Sequence, residues 1–432
     1  MQTILRNAFV YTGDPAHRCI EKGALLLSGD RIDWVGPEAD LPLGLDASAR
    51  DLGGRVVIPG LINTHAHGGL SLHRGYCDDG DLFAWAAALA PTTSQLTLED
   101  NRWGCYLAAF EMVRNGITTA CDCARYGAGI FSSVASAIGM RSLSGSLANS
   151  PSLRTSGQPN WPAALEETKE AIQQRSGDGL SRFYLGAHSP YNCTPELLTA
   201  VKEAADGIGV PFVIHVAENR RELEIVQERH GRRPIDHLRH LGLLDRKSIL
   251  AHCVWLNEEE IGILASSGAG VAHNPISNGK LASGVAPIPQ LRRRGVAVGL
   301  GTDSTLSNNC LSIFQEMKFA VLMQRVTSLD GHALTARDAL SMATREGARV
   351  LGWEADIGSL EAGKEADLVI LELDHPLGLT PERVISDLVY AAGPHNIRSV
   401  MVKGRAIFED GKFTLIDEAE IKGQIRNRYG RR

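Results

Sequence analysis

The chain has 432 residues, a formal net charge of −6, 22% charged and 44% apolar residues. That is ordinary globular composition, long enough to bury a large core and to hold an α/β barrel of roughly 250 residues as one unit. The mild acidity, with no basic stripe, gives no electrostatic reason to expect nucleic acid or an anionic membrane as partner.

The chain opens on "MQTILRNAFVYTG", which lacks the charged-then-apolar order of a signal peptide. No later apolar run approaches the ~18 residues of a membrane span. "GALLLSGDRIDWVG" and "ARDLGGRVVIPG" follow as short strands broken by Gly-containing turns. The same texture returns in "ADLVILELD" and "IRSVMVKGRAIFEDGKF" near the other end. The expectation is a small β-sandwich domain built from both termini, residues 1–55 and 366–432.

Between them, over 56–365, β-branched apolar stretches alternate with helix-compatible segments. The strand candidates are "VVIPGLINTHAH", "ITTACD", "MRSLSGSLA", "RFYLGAHSP", "VPFVIHVAE", "SILAHCVWL", "AGVAHNP" and "VAVGLGTDS". Segments such as "LTAVKEAADGIG" between them carry apolar residues three and four apart. Eight strand–helix units predict an α/β protein with a (β/α)8 TIM barrel, with a doubly wound sheet as the alternative. The eight scattered cysteines form no Cys-x-x-Cys pair. Cys121 and Cys123 in "ACDCAR" read as strand thiols of a reducing, cytoplasmic compartment.

Parallel barrels place chemistry at the carboxyl ends of their strands. Here the first strand ends on His65 and His67, the fourth on His188, and the fifth on His215 and Glu218. The sixth carries His252, the seventh His273, the eighth Asp303. Alternate residues of a strand point the same way, so His65 and His67 share one face. Taken singly, a buried histidine is an ordinary hydrogen-bonded group and "GTDS" an ordinary turn before a helix. Their convergence on one mouth favours a metal site. Imidazole nitrogens with one carboxylate oxygen suit Zn2+ with a position open for water, and Fe2+ or Mn2+ accepts the same donors.

The ordered motifs H-x-H, H-x-x-E, "AHCVWL", "HNPISNGKLASGVAP" and "GLGTDS" resemble the amidohydrolase superfamily. The nearest branch holds S-adenosylhomocysteine/5-methylthioadenosine deaminases, guanine-type deaminases and triazine hydrolases. The likeness runs through "GSLEAGKEADLVIL", nearly the whole chain. It implies that His65, His67, His215 and Asp303 hold a single divalent metal ion, with Glu218 as acid/base. His252 then orients the attacking oxygen and His188 touches substrate. No lysine ends the fourth strand candidate, which implies one metal rather than two.

A metal ion lowers the pKa of water toward ~7. Glu218 then carries a proton to a ring nitrogen, and the second oxygen of Asp303 takes another. The expected reaction is replacement of an exocyclic amino or similar group on an aromatic heterocycle. Members acting on ribonucleosides place a glutamate after "WL…P"; "FAWAAALAPTTSQLT" offers Trp85 and Pro91 but Thr93 in its place. A neutral threonine is a poor partner for a diol, which favours a purine base, pterin or triazine over adenosine derivatives. Trp85 faces the pocket or the core. His273 and Asn274 meet substrate or the loop backbone, and "NGKLASG" reads as a mobile loop over the mouth. The alternatives are an adenosine-type deaminase, a cyclic-amide or N-acyl amino acid hydrolase, and a catalytically silent assembly protein. The expected partners are a small heterocyclic substrate and further copies of the chain in a homo-oligomer, with neither nucleic acid nor membrane.

Overall fold

The computed structural model describes residues 2–430 apart from 43, 125–126, 151–160 and 176. Its centre is a parallel sheet whose strands run, in order around the barrel, Leu61–Ala66, Ile117–Ala124, Arg141–Ala148, Leu185–Ala187, Phe212–Val216, Ser248–His252, Gly270–His273 and Val298–Leu300. The short strand Ser181–Phe183 pairs beside the third of these. Every position of Ile117–Ala124 and Arg141–Ala148 is buried, which is why such strands read as runs of apolar and small residues rather than alternating ones.

The last strand meets the first through a parallel bridge between Ala66 and Asp303. The amides of Thr302 and Asp303 both donate to His65 O, at 3.0 and 2.9 Å. Gly301 makes that approach feasible: a Cβ there would lie 2.2 Å from Asn274 Oδ1 and 2.8 Å from His65 Cβ. Helices cover the barrel and carry local start and stop signals. Thr194 caps Pro195–Ile208, which ends on left-handed Gly209. Asn257 and Glu260 form a capping box for Glu258–Ser267.

Strands from both termini form a second sheet, ordered Lys412–Phe413, Arg405–Glu409, Ile397–Val402, Leu368–Leu371, Val56–Pro59, Gln2–Tyr11, Cys19–Ser28 and Arg31–Pro37, with Ala47–Asp51 beside Gln2–Tyr11. "VVIPGLINTHAH" is therefore two strands, not one. Val56–Pro59 pairs antiparallel with Leu368–Leu371 of the terminal sheet, and only Leu61–Ala66 enters the barrel. The break falls at Gly60, where a Cβ would lie 2.1 Å from Thr118 Oγ1.

Arg141, 1% exposed on the third barrel strand, ties the two sheets together. Its guanidinium donates to Asp367 at 2.6 and 3.0 Å, to Gly179 O at 2.9 Å, and to Glu365. The stretch expected as a mobile loop instead contributes to a six-residue helix, Pro275–Lys280, with Ser277, Asn278 and Leu281 buried. No helix among the described residues is long and apolar enough to cross a membrane.

Candidate metal and active site

Backbone carbonyls set the orientation of two strand-end histidines. His67 Nδ1 lies 2.5 Å from Cys123 O, and His215 Nδ1 lies 2.8 Å from His188 O. A carbonyl only accepts, so each Nδ1 carries the proton and each Nε2 presents a lone pair. The two Nε2 atoms face one another 3.3 Å apart. Lone pairs that close repel unless a proton or cation lies between them. Burial, reinforced by the neighbouring imidazoles, pushes His215 down to about 3 and His65 well below the usual histidine range, which keeps both imidazoles neutral near neutral pH.

His65 Nε2 is buried with no hydrogen-bond partner among the described residues. Asp303 Oδ1 stands 3.8 Å from it and 3.6 Å from His67 Nε2. Burial acts to raise the Asp303 pKa, but the surrounding imidazoles and Ser277 outweigh it and hold the carboxyl well below the usual range. One ligand atom each from His65, His67 and Asp303 lies within 4.8 Å of the others, and so do those of His65, His215 and His252. Neutral imidazoles and one carboxylate, with an orphaned nitrogen at their centre, fit a divalent cation.

Beside this cluster, His252 Nε2 lies 3.8 Å from Glu218 Oε2. Burial pushes Glu218 up to about 7, a rise that His252 opposes and Asp303 reinforces. That is the range in which a carboxyl both takes and gives a proton at neutral pH. Ala217, His252 and Asp303 hold positive φ values of 54°, 76° and 59°, conformations that cost a non-glycine residue ~1–3 kcal/mol and concentrate at functional sites.

His67, His188, His215, Glu218, His252 and Asp303 all face one pocket that opens to solvent. The rest of its lining is largely apolar, with Leu70, Leu147, Leu281 and Leu306 and helix Leu82–Thr93, which contributes Leu82, Trp85, Ala86, Leu89 and Thr93. Trp85 Nε1 is buried and without a hydrogen-bond partner among the described residues. Thr93 spends its hydroxyl on Leu89 O, at 3.1 Å.

His273 is 2% exposed and does not line the pocket. Its strand is only four residues long and turns directly into Asn274 and Pro275. The second oxygen of Asp303 accepts a hydrogen bond from Ser277 Oγ at 2.6 Å and keeps a further lone pair. The sequence reading missed Ser277, Asn278 and Glu222. The first two lie inside the quoted "HNPISNGK" motif, and Glu222 looks like any helix-surface charge.

A parallel barrel whose strand ends gather a histidine–aspartate cluster has the layout of a hydrolase barrel, with donors that fit a divalent metal. Residues 56–407 match the model of the amidohydrolase family, and the chain belongs to that family, a hydrolase acting on carbon–nitrogen bonds. It is 40% identical over 412 residues to the 5-methylthioadenosine/S-adenosylhomocysteine deaminase of Moorella thermoacetica, covering 95% of each chain. It is 38% identical over 409 residues to the 5'-deoxyadenosine deaminase of Methanopyrus kandleri, covering 94% of each. Among solved structures, an adenosine deaminase from Xanthomonas campestris with bound zinc superposes with a TM-score of 0.92 at 30% identity, over 99% of this chain and 98% of that one.

Proposed function

We propose that the protein is a mononuclear zinc-dependent aminohydrolase that converts the exocyclic amine of an adenine-type ring to a carbonyl, with release of ammonia. The observation that carries the reaction class is Glu218 beside His252 at the floor of a pocket that also exposes His67, His215 and Asp303. Zinc held by His65, His67, His215 and Asp303 would supply polarisation of the attacking water.

Glu218 takes the proton released by that water and passes it to a ring nitrogen, which makes the amine-bearing carbon electrophilic. His252, on the same floor, orients the attacking oxygen. Asp303 accepts a further proton and returns it to the departing amine. The apolar lining excludes water from the ring, and Trp85 Nε1 and His188 offer contacts to it. Full-length likeness to deaminases named for 5′-modified adenosines supports a substrate of that type.

A second reading, a free purine, pterin or triazine, is favoured by Thr93, whose hydroxyl is bound to its own helix rather than offered to a ribose diol. Ammonia release from zinc-loaded enzyme, measured across 5′-substituted adenosines, free purines, pterins and triazines, decides between them. Faster turnover of the adenosines is expected. Faster turnover of free bases installs the second reading, and release of a carboxylate from cyclic amides instead of ammonia overturns both.

A further inference from the structure

We propose that the short helix Pro275–Lys280 positions two groups of the proposed active site, with Ser277 acting through the proton acceptor Asp303 and Asn278 through His252, which orients the attacking oxygen. This rests on the roles proposed above for Asp303 and His252. The helix is pinned at both ends. At its front, buried Glu316 accepts the Ile276 amide at 3.2 Å and Asn308 Nδ2 at 2.5 Å. At its end, Lys280 donates to Leu306 O at 2.9 Å, to Asp78 at 2.7 Å and to Asn309. Leu306, Asn308 and Asn309 belong to the loop that follows Asp303, so hydrogen bonds tie the helix to that loop at both ends.

Two successive side chains of this helix meet two different catalytic groups. Ser277, 1% exposed, donates to Asp303 Oδ2 and leaves Oδ1 turned toward His65 and His67. The hydroxyl, together with the Ser304 amide that donates to Oδ1 at 2.7 Å, fixes which carboxylate oxygen faces the cation site. Asn278 Oδ1 lies 2.9 Å from His252 Nδ1. An amide oxygen only accepts, so the His252 proton resides on Nδ1 and a bare Nε2 faces Glu218. The opposite tautomer would require Asn274 Nδ2, at the longer distance of 3.4 Å, to donate to the same nitrogen. Outer partners of this kind change metal affinity or activity by ~10–100-fold when removed.

Three measurements test the proposal. Nitrogen-15 spectra of the histidines in zinc-loaded wild type are expected to show His252 protonated at Nδ1. Asn278→Asp, which keeps acceptor oxygens and no donor, is expected to hold kcat within ~10-fold of wild type, while Asn278→Leu loses ~100-fold with little change in KM. Ser277→Ala is expected to weaken zinc binding ~10–100-fold in chelator competition. An Nε2–H tautomer, or Asn278→Asp as impaired as Asn278→Leu, overturns the Asn278 assignment. Unchanged zinc affinity and kcat in Ser277→Ala overturn that of Ser277. The spectra and the chelator competition need no substrate, so they stand even if the substrate reading fails.

Discussion

The two carboxylate oxygens of Glu222 accept the backbone amides of Ala217 and Glu218, at 2.9 and 2.8 Å. Ala217 has a φ of 54°, and this clasp holds the turn that carries Glu218 into the pocket. Glu222→Gln keeps the shape but sets an NH2 group against one of the two amides. The expected cost is ~1–3 kcal/mol of stability from the unsatisfied donors, with a lowered kcat. Urea unfolding and steady-state kinetics check it; a variant with wild-type stability and kcat would show the clasp to be dispensable.

Glu218 itself separates chemistry from metal binding. Glu218→Gln is expected to lower kcat by ~10²–10⁴ while zinc content stays at the wild-type level. Loss of zinc together with activity would place Glu218 among the ligands instead.

Folding keeps several histidines neutral. Burial holds both His215 and His273 down to about 3, against ~6.5 in an unfolded chain. Between those values the unfolded chain binds more protons than the folded one, so stability falls as pH falls. The contribution is whole above ~6.5 and is lost toward acid by up to ~1.4 kcal/mol per pH unit for each histidine. Unfolding midpoints of metal-free protein at pH 7 and pH 5 measure this, with the lower midpoint expected at pH 5.

Arg141 forms a buried ion cluster with Asp367 and Glu365. Arg141→Met leaves both carboxylates without their guanidinium between the two sheets, and ~3–5 kcal/mol of destabilisation is expected. Glu365 keeps Arg31 and Lys403 as ion partners, so restored stability in Arg141→Met combined with Asp367→Asn would show that the uncompensated Asp367 charge, not lost packing, carries the cost.

Much of this architecture is legible in the chain because buried parallel strands spell themselves out and end on their functional residues: "VPFVIHVAE" and "SILAHCVWL" announce both strand and site. What was not legible depends on long-range contact. Val56–Pro59 and Leu61–Ala66 form one apolar run in sequence, and the division at Pro59–Gly60 emerges only once Val56–Pro59 pairs with strand Leu368–Leu371. "NGKLASG" has loop composition, yet Asn278 and Lys280 sit in a helix whose side chains bond residues 26 and more positions away. Glu222 reads as a solvated helix charge until the fold sets it beneath the end of the fifth strand. His273 shares a strand-end position with true pocket residues, and spacing alone does not show that its imidazole stays behind the wall.

The proposed metal site underlies every step of the proposed reaction, and elemental analysis of purified, zinc-loaded protein tests it most directly. One zinc per chain is expected in wild type and in Glu218→Gln, with less than a tenth of that retained by His67→Ala or Asp303→Ala after dialysis against a mild chelator. Wild-type protein that retains no zinc after the same dialysis, or ligand variants that retain it fully, would contradict the assignment.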